Sequence, residues 1–145
     1  MISKQSLHNI LIKVGKELKI LKRKKINFEI KGIEFKAEAD LIAEKIIKYE
    51  LQKISSFPIL SEEDESSWKL LNTKNYWLID PIDGMASFCE GFKGYVSQIS
   101  LMQNCRPVLS AIYSPELDLF FYAEEGKGAF VNFEKIIKEK IKIKS

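Results

Sequence analysis

Apolar residues recur at helical spacing at the start of the chain. The members of this stripe are Leu7, Ile10, Leu11, Val14, Leu18 and Leu21. Since residues three and four positions apart share one helix face, the pattern predicts a long amphipathic helix over residues 3–23. Ser3 is a suitable N-cap, because its hydroxyl can accept a hydrogen bond from a free helical N–H. His8, the chain's only histidine, falls off the stripe, and we expect an inert surface imidazole.

A second helix is predicted further along. Residues 27–31 alternate between polar and apolar side chains and favour a short strand or an extended link that ends at Gly32. The helical spacing resumes at Ile42, Ala43, Ile46 and Ile47. This helix should reach about residue 53 and places Asp40 in its first turn, where the helix dipole favours a carboxylate. By position alone, Asp40 is an ordinary helix-start acid.

Short apolar or alternating runs fill the rest of the chain and predict strands. The predicted strands are residues 57–61, 76–79, 95–103, 107–113, 117–123 and 128–132. Residues 66–72 favour a loop or a short helical turn, and residues 87–91 a helical turn whose Phe88 packs inward. Two helices followed by antiparallel strands predict an α+β fold, with the helices packed on a mainly antiparallel sheet.

Two of the predicted strands end in carboxylates. Strand 57–61 runs into Glu62 and Glu63, and strand 76–79 runs into Asp80 and Asp83. Two strand ends that carry carboxylates toward one point can build a magnesium–phosphate site, because magnesium prefers oxygen ligands. Taken singly, the two aspartates also fit an ordinary turn, and the acidic run at 62–65 also fits a solvated loop.

The turn between the two aspartates carries further local signals. Pro81 has no backbone N–H, so regular strand pairing should stop there. Gly84 follows Asp83 directly and lets the backbone approach a ligand without a side chain in the way. The segment is therefore suited to hold a ligand close to the main chain.

These two acidic stretches together resemble the inositol monophosphatase superfamily, the magnesium-dependent and lithium-sensitive phosphomonoesterases. The resemblance rests on residues 58–63 (PILSEE) and residues 77–88 (WLIDPIDGMASF), and it is most similar to the 3′(2′),5′-bisphosphate nucleotidases. It covers roughly residues 5–132. It implies an N-terminal α+β domain at residues 1–133 and a basic tail at 134–145, with the family's C-terminal α/β domain absent.

The resemblance also implies a metal site. Its ligands would be Glu62, Asp80, the Ile82 carbonyl and Asp83. They would hold two or more Mg²⁺ ions, with Mn²⁺ as a substitute and Li⁺ as an inhibitor. Paired metal ions of this kind neutralise phosphoryl charge and activate a water molecule.

Catalytic and substrate-binding roles follow from the same resemblance. Glu62 would orient the attacking water, Glu63 would support the metal shell, and Asp40 would help to polarise the centre. The substrate phosphate would be held by Asp83, Gly84, Met85 and Ala86. The implied substrate is a small phosphate monoester, either 3′-phosphoadenosine 5′-phosphate or an inositol phosphate.

Three departures from the family pattern bear on catalysis. Met85 and Ala37 each replace a threonine, and methionine offers no useful hydroxyl to align water. The family's further metal-ligating aspartate lies in a Trp-Asp-x-Ala-x-Gly segment that these residues do not contain. Three hypotheses therefore stay open: a bisphosphate nucleotidase-like phosphatase, an inositol-1-monophosphatase-like activity, and a weak or inactive remnant that binds metal or phosphate or mediates interactions.

Composition narrows the partners and the location. The net charge of +3 is modest and its lysines are not interleaved with aromatics, which argues against nucleic-acid binding. No apolar run approaches the roughly 20 residues that span a bilayer. Cys89 and Cys105 follow no secretory leader, so we expect reduced thiols in a cytoplasmic protein. We expect a second copy or a separately encoded C-terminal domain as the protein partner.

Overall fold

The structure, a computed structural model, describes residues 2–28 and 32–137. Its elements are α1 (Lys4–Phe28), α2 (Gly32–Ile54), β1 (Ile59–Ser61), a 3₁₀ helix (Glu65–Asn72), β2 (Asn75–Asp83), α3 (Met85–Glu90), β3 (Val96–Gln103), β4 (Arg106–Ser114), β5 (Leu119–Glu124), β6 (Gly128–Val131) and β7 (Glu134–Lys135). Two long helices thus precede a mainly antiparallel sheet, which confirms the predicted α+β class.

The first helix begins where the cap was predicted and ends later than expected. Oγ of Ser3 accepts a 3.1 Å hydrogen bond from the N–H of Ser6, as an N-cap does. The helix continues to Phe28, so the extended conformation predicted for residues 27–31 is wrong at 27 and 28. Residues 24–28 contain neither glycine nor proline to end the helix. The rest of that segment, residues 29–31, lies outside the described part of the chain.

The second helix starts earlier than the sequence suggested. It begins at Gly32, which puts Asp40 more than two turns inside the helix and makes its predicted first-turn position wrong. The reason is a buried stripe at four-residue spacing, which consists of Phe35, Ala39, Ala43, Ile47 and Leu51. Because Phe35 already belongs to this stripe, packing against the sheet stabilises helix well before residue 40.

The strands form one sheet in sequence order within the described residues. β1 and β2 are parallel, and each later pair up to β7 is antiparallel. The predicted strands occur within two residues of their expected bounds, except that β2 runs to Asp83, four residues beyond its predicted end. β5 and β6 are shifted or shortened beside Asp118 and Asn132, whose φ angles of 50° and 44° do not suit a strand. β7 was not predicted, because Glu134 and Lys135 show no apolar pattern. The rest of the predicted basic tail, residues 138–145, lies outside the described part of the chain.

Both predicted short helical segments are present. The segment at 66–72 is a 3₁₀ helix that starts at Glu65, and Asp64 caps it by accepting a 3.1 Å hydrogen bond from the N–H of Ser66. α3 begins at Met85, two residues before the predicted turn. Phe88 packs inward as expected and is 1% exposed.

The core lies between the two long helices and one face of the sheet. Trp77, Ile79 and Ile99 are fully buried on that face. An aromatic stack extends the core toward α3, because the Phe88 ring lies 5.1 Å from the Phe35 ring and 4.9 Å from the Tyr95 ring. α3 is therefore anchored to both α2 and the sheet.

The sequence predicted that His8 lies on the surface, but its side chain is partly buried. Its ring meets the Phe120 ring at 4.7 Å and the Phe133 ring at 5.0 Å. Burial is the main effect on the imidazole and lowers its pKa. His8 lies three residues before Leu11 on α1, so the two side chains share a helix face that packs against the sheet. The imidazole therefore contributes to packing.

Two further observations concern the cysteines and the helices. Cys89 and Cys105 are both free thiols, the first partly buried and the second exposed. Along residues 2–28 and 32–137, no helix is both long enough and apolar enough to cross a membrane.

Candidate active site

The parallel pairing of β1 and β2 brings the two acidic strand ends together. Ile59 pairs with Trp77 and Ser61 with Ile79. The N–H of Glu62 then donates a 3.0 Å hydrogen bond to the carbonyl of Ile79. Because Ser61 pairs with Ile79, the next residues, Glu62 and Asp80, lie side by side where β1 ends. The sequence predicted that the two acidic strand ends would lie close together, and the β1–β2 register places Glu62 next to Asp80.

A β-bulge separates the two aspartates of β2. Asp80 pairs with Gln98 and Asp83 pairs with Val96, so β2 takes three steps where β3 takes two. The extra residue falls around Pro81, where the regular ladder was expected to stop. Pairing does break there, but it resumes at Asp83, so β2 continues through the proline.

The environment of Asp80 disfavours the ionised form of its carboxyl group. Burial raises its pKa most, and the charges on Asp83 and Glu62 raise it further, to about 6. Gln98 and the Ile82 backbone oppose this rise by hydrogen bonding. Oδ1 of Asp80 is buried and has no hydrogen-bond partner within the described part of the chain. A buried carboxylate oxygen without a partner is costly, and a bound cation would relieve that cost.

The second half of the acidic site joins β1 to α2. Burial, a hydrogen bond to Glu62 and the charge of Asp40 raise the pKa of Glu63 to about 7, while Lys36 opposes the rise. Burial likewise raises the pKa of Asp40, whose Oδ1 is buried and unpartnered among the described residues. Asp40 thus belongs to the same acidic site as Glu62 and Glu63, although it lies mid-helix.

The backbone after Asp83 turns sharply into α3. Gly84 has a φ of 85°, and a Cβ there would lie 3.3 Å from the Gly94 carbonyl oxygen and from Cα of Tyr95. Only glycine fits this turn without strain. Gly84 and Ala86 are exposed, and the first N–H groups of a helix have no partner within it. The predicted phosphate-binding segment is therefore open to solvent at the helix start.

Met85 and Ala37 are the two residues that the family resemblance sets against threonine, and Ala37 lies within α2 rather than before it. Met85 is partly buried and packs against the hydrophobic core. Ala37 is exposed on α2, one turn before Asp40. Neither offers a hydroxyl to the acidic site.

The donor chemistry fits a hard divalent cation, although the side chains are not gathered into a complete ligand cluster. Over residues 2–28 and 32–137, no three Asp, Glu, His or Cys side chains converge on one metal position. The charges of Asp83 and Glu62 both disfavour ionisation of Asp80. Magnesium needs only one or two carboxylates when it keeps several of its waters. A cation bound beside Asp40 and Asp80 would satisfy their unpartnered oxygens.

Two residues that contact this site were not predicted from the sequence. Nε2 of Gln98 donates a 2.6 Å hydrogen bond to Oδ2 of Asp83. Oγ of Ser97 donates a 2.7 Å hydrogen bond to the carbonyl of Pro81. Ser97 interrupts the alternating apolar positions of its strand, which was an available signal. The sequence offers no such signal for Gln98, because its contact with Asp83 depends on the strand register.

Known proteins are similar to this chain in sequence. The Inositol monophosphatase family matches residues 4–145. The chain is 36% identical over 91 residues to the 3′(2′),5′-bisphosphate nucleotidase CysQ of Salmonella typhimurium, covering 61% of this chain and 37% of that protein. It is 36% identical over 134 residues to an inositol monophosphatase of Dictyostelium discoideum. That match covers 86% of this chain and 49% of that protein.

A solved structure has a similar fold. CysQ from Bacteroides thetaiotaomicron, described as a bacterial member of the inositol monophosphatase family, aligns with a TM-score of 0.78 and 27% identity, over 95% of this chain and 52% of that chain. The present chain belongs to the inositol monophosphatase family. It spans about half the length, or less, of these relatives.

Proposed function

We propose that the chain is a Mg²⁺-dependent phosphomonoesterase, similar to the 3′(2′),5′-bisphosphate nucleotidases, that cleaves a small phosphate monoester with water. The observation that carries this proposal is the hydrogen bond from the Glu62 N–H to the Ile79 carbonyl, which sets Glu62 beside Asp80. Family membership supports the phosphatase class.

Four residues would hold the metal, namely Glu62, Asp80, Asp83 and, through its carbonyl, Ile82. Bound Mg²⁺ would supply charge neutralisation at the phosphoryl oxygens and a more acidic water. Mn²⁺ would substitute for it and Li⁺ would inhibit. The support from this chain is the pKa of Asp80, which burial and the charges of Asp83 and Glu62 raise, together with the unpartnered oxygen of Asp80.

The remaining roles fall on the neighbours of these ligands. Glu62 would orient the attacking water, with Glu63 and Asp40 close enough to share the charge of that centre. The phosphate would bind beside Asp83, against the N–H groups of Gly84, Met85 and Ala86. Backbone N–H groups at a helix start suit an anion, and the exposed turn at Gly84 leaves room for one.

Two substrate classes match the relatives. CysQ of Salmonella typhimurium is named a bisphosphate nucleotidase, and the Dictyostelium discoideum relative is named an inositol monophosphatase. We favour 3′-phosphoadenosine 5′-phosphate, because the motifs before Glu62 and Asp80 resemble the nucleotidases more. An inositol phosphate is the second candidate.

One observation favours a second function, a weak or inactive domain that binds metal or phosphate. The Met85 side chain packs against the core, where the family has a hydroxyl that aligns water. In addition, the described residues do not gather three metal-ligating side chains at one point. Such a domain would keep the binding properties of the site with little turnover.

We also propose a protein partner and a cytoplasmic location. The sheet face away from the helices carries apolar side chains, among them Phe121, which is 40% exposed. A second copy of the chain or a separately encoded C-terminal domain would cover this face. Light scattering should show a dimer or larger species; a monodisperse monomer at high concentration would contradict self-association.

Phosphate release tests the proposed activity directly. The chain should release phosphate from 3′-phosphoadenosine 5′-phosphate only with Mg²⁺, and Li⁺ should slow the reaction. Glu62→Gln should abolish release, whereas Glu65→Gln, from the same acidic run but within the 3₁₀ helix, should not. Release that is equal with and without a chelator, or equal in Glu62→Gln, would contradict the proposal.

A further inference from the structure

We propose that Ser97 and Gln98, adjacent on β3, are positioning residues for the metal–phosphate loop, which we define as residues 80–84. The inference rests on the function proposed above and adds two residues that lie outside the ligand set. Each residue contacts the loop from a different side of β3, because successive strand residues face opposite ways.

Ser97 controls the backbone of the bulge. The register places it between Gln98, opposite Asp80, and Val96, opposite Asp83, so it alone faces the extra residue of β2. A bulge leaves part of the ladder unpaired. The Ser97 side chain, which is fully buried, fills that gap by donating a 2.7 Å hydrogen bond to the Pro81 carbonyl.

The contact with Pro81 affects the next residues as well. Because the peptide group is planar, holding the Pro81 carbonyl also holds the N–H of Ile82 and the direction in which the chain leaves the bulge. That direction sets where the Ile82 carbonyl and the Asp83 carboxylate point. Ser97 therefore acts on two proposed ligands without touching either.

Gln98 controls the side chains of the loop from the other face. It lies directly opposite Asp80 in the register, so both side chains project from the same face of the sheet. Its Nε2 donates a 2.6 Å hydrogen bond to Oδ2 of Asp83. One amide thus holds the second carboxylate beside the first, which leaves the other oxygen of Asp83 available to a metal ion.

Variants of β3 can separate positioning from simple stabilisation. The site variants are Ser97→Ala and Gln98→Met, and the matched controls are Ser100→Ala and Gln103→Met. Ser100 lies on the same strand, and its hydroxyl makes a comparable 2.8 Å hydrogen bond to Ser110, away from the loop. Gln103 lies at the far end of β3, opposite Asn75.

Two measurements are needed on each protein. Calorimetry with Mn²⁺ should show affinity about 10-fold weaker or more in the site variants, and within about twofold of wild type in the controls, as for other residues that orient metal ligands. Amide hydrogen exchange without metal should be faster at residues 80–86 in the site variants and unchanged there in the controls. A merely structural role would change overall stability in both sets and would leave Mn²⁺ affinity alike.

The outcomes are distinguishable. If wild type binds Mn²⁺ while Ser97→Ala and Gln98→Met bind as tightly and exchange as slowly, the positioning role is overturned. If wild type binds no Mn²⁺, the proposed function fails, and exchange alone decides the positioning role: faster exchange in the site variants supports it, and equal exchange overturns it.

Discussion

The backbone N–H of Glu62 donates a 3.0 Å hydrogen bond to the carbonyl of Ile79, the residue before Asp80. This bond extends the parallel β1–β2 ladder by one residue and sets the two carboxylates at one sheet edge. The bulge at Pro81 then brings Asp83 close enough to raise the pKa of Asp80, after the larger effect of burial. The acidic site is thus produced by strand pairing rather than by a long loop.

The turn at Gly84 should tolerate no side chain. Gly84→Ala places a Cβ 3.3 Å from backbone atoms of Gly94 and Tyr95, at a φ of 85°. Gly126→Ala is the matched control, since its φ is 78° and a Cβ there meets nothing within 4 Å. Both variants should lose about 1 kcal/mol or more to left-handed strain. Gly84→Ala should lose roughly 1–3 kcal/mol more from crowding, measured by urea unfolding. Equal losses would show that crowding at Gly84 is unimportant.

The aromatic stack should be essential for anchoring α3. Phe88 is 1% exposed and its ring lies 5.1 Å from that of Phe35. Phe88→Ala should lower the free energy of unfolding by about 3–5 kcal/mol, because it leaves a cavity in the core. Phe121→Ala removes the same ring from a position that is 40% exposed and should cost much less. Similar losses in urea unfolding would argue against the stack as the anchor.

A partly buried ion pair should make stability depend on acid pH. Oε1 of Glu116 accepts hydrogen bonds from Lys22 at 2.8 Å and from the Tyr95 hydroxyl at 2.9 Å. The hydrogen bond from Lys22 is the largest effect and lowers the pKa of Glu116. Since the folded pKa lies below the unfolded value of about 4.3, the unfolded chain binds the proton more readily. The contribution is full above the unfolded pKa and is lost as pH falls through the folded pKa.

Glu116→Gln isolates that contribution. It should cost about 1 kcal/mol near neutral pH, because a charged acceptor becomes a neutral one, and it should flatten the loss of stability below pH 4.3. Glu125→Gln breaks an exposed pair with Arg106 and should change little. Urea unfolding across acid pH provides the measurement. Parallel pH profiles for wild type and Glu116→Gln would refute the role of this pair.

Replacing Met85 should restore little activity by itself. Met85→Thr returns a hydroxyl to the start of α3, and a single positioned group can be worth about 10²-fold in rate. We expect a much smaller gain in phosphate release, since these 145 residues contain no Trp-Asp-x-Ala-x-Gly segment, in which the family resemblance places a further metal ligand. Supplying the C-terminal domain in trans should raise the gain, and Met102→Thr on β3 is the control. A wild-type kcat near the roughly 10 s⁻¹ of ordinary enzymes would contradict the weight given to Met85.

Local pattern predicted most of the fold. The apolar stripes of α1 and α2, the Ser3 cap and the alternation of the strands are short-range signals, and they specified an α+β layer. The start of α2 was misplaced because Phe35 was not counted as part of the stripe. β7 is short and polar, and its place depends on pairing with β6, which no local pattern reveals.

The site was only partly predictable for the same reason. Glu62, Asp80 and Asp83 follow apolar strands in sequence, so their strand-end positions were visible. Asp40 lies mid-helix and joined the candidate site only through the family resemblance. The contact from Gln98 to Asp83 depends on the antiparallel register and on the bulge, which are properties of the folded sheet.

Mn²⁺ calorimetry on Asp80→Asn tests the central claim most directly. Asp118→Asn is the control: it makes the same change in the β4–β5 turn, where Asp118 accepts a hydrogen bond from Tyr113, and asparagine tolerates its φ of 50°. Wild type and Asp118→Asn should bind Mn²⁺ alike, with modest affinity, whereas Asp80→Asn should lose most of the binding because a charged ligand is removed. Equal binding by wild type and Asp80→Asn would contradict the metal site on which the proposed activity depends.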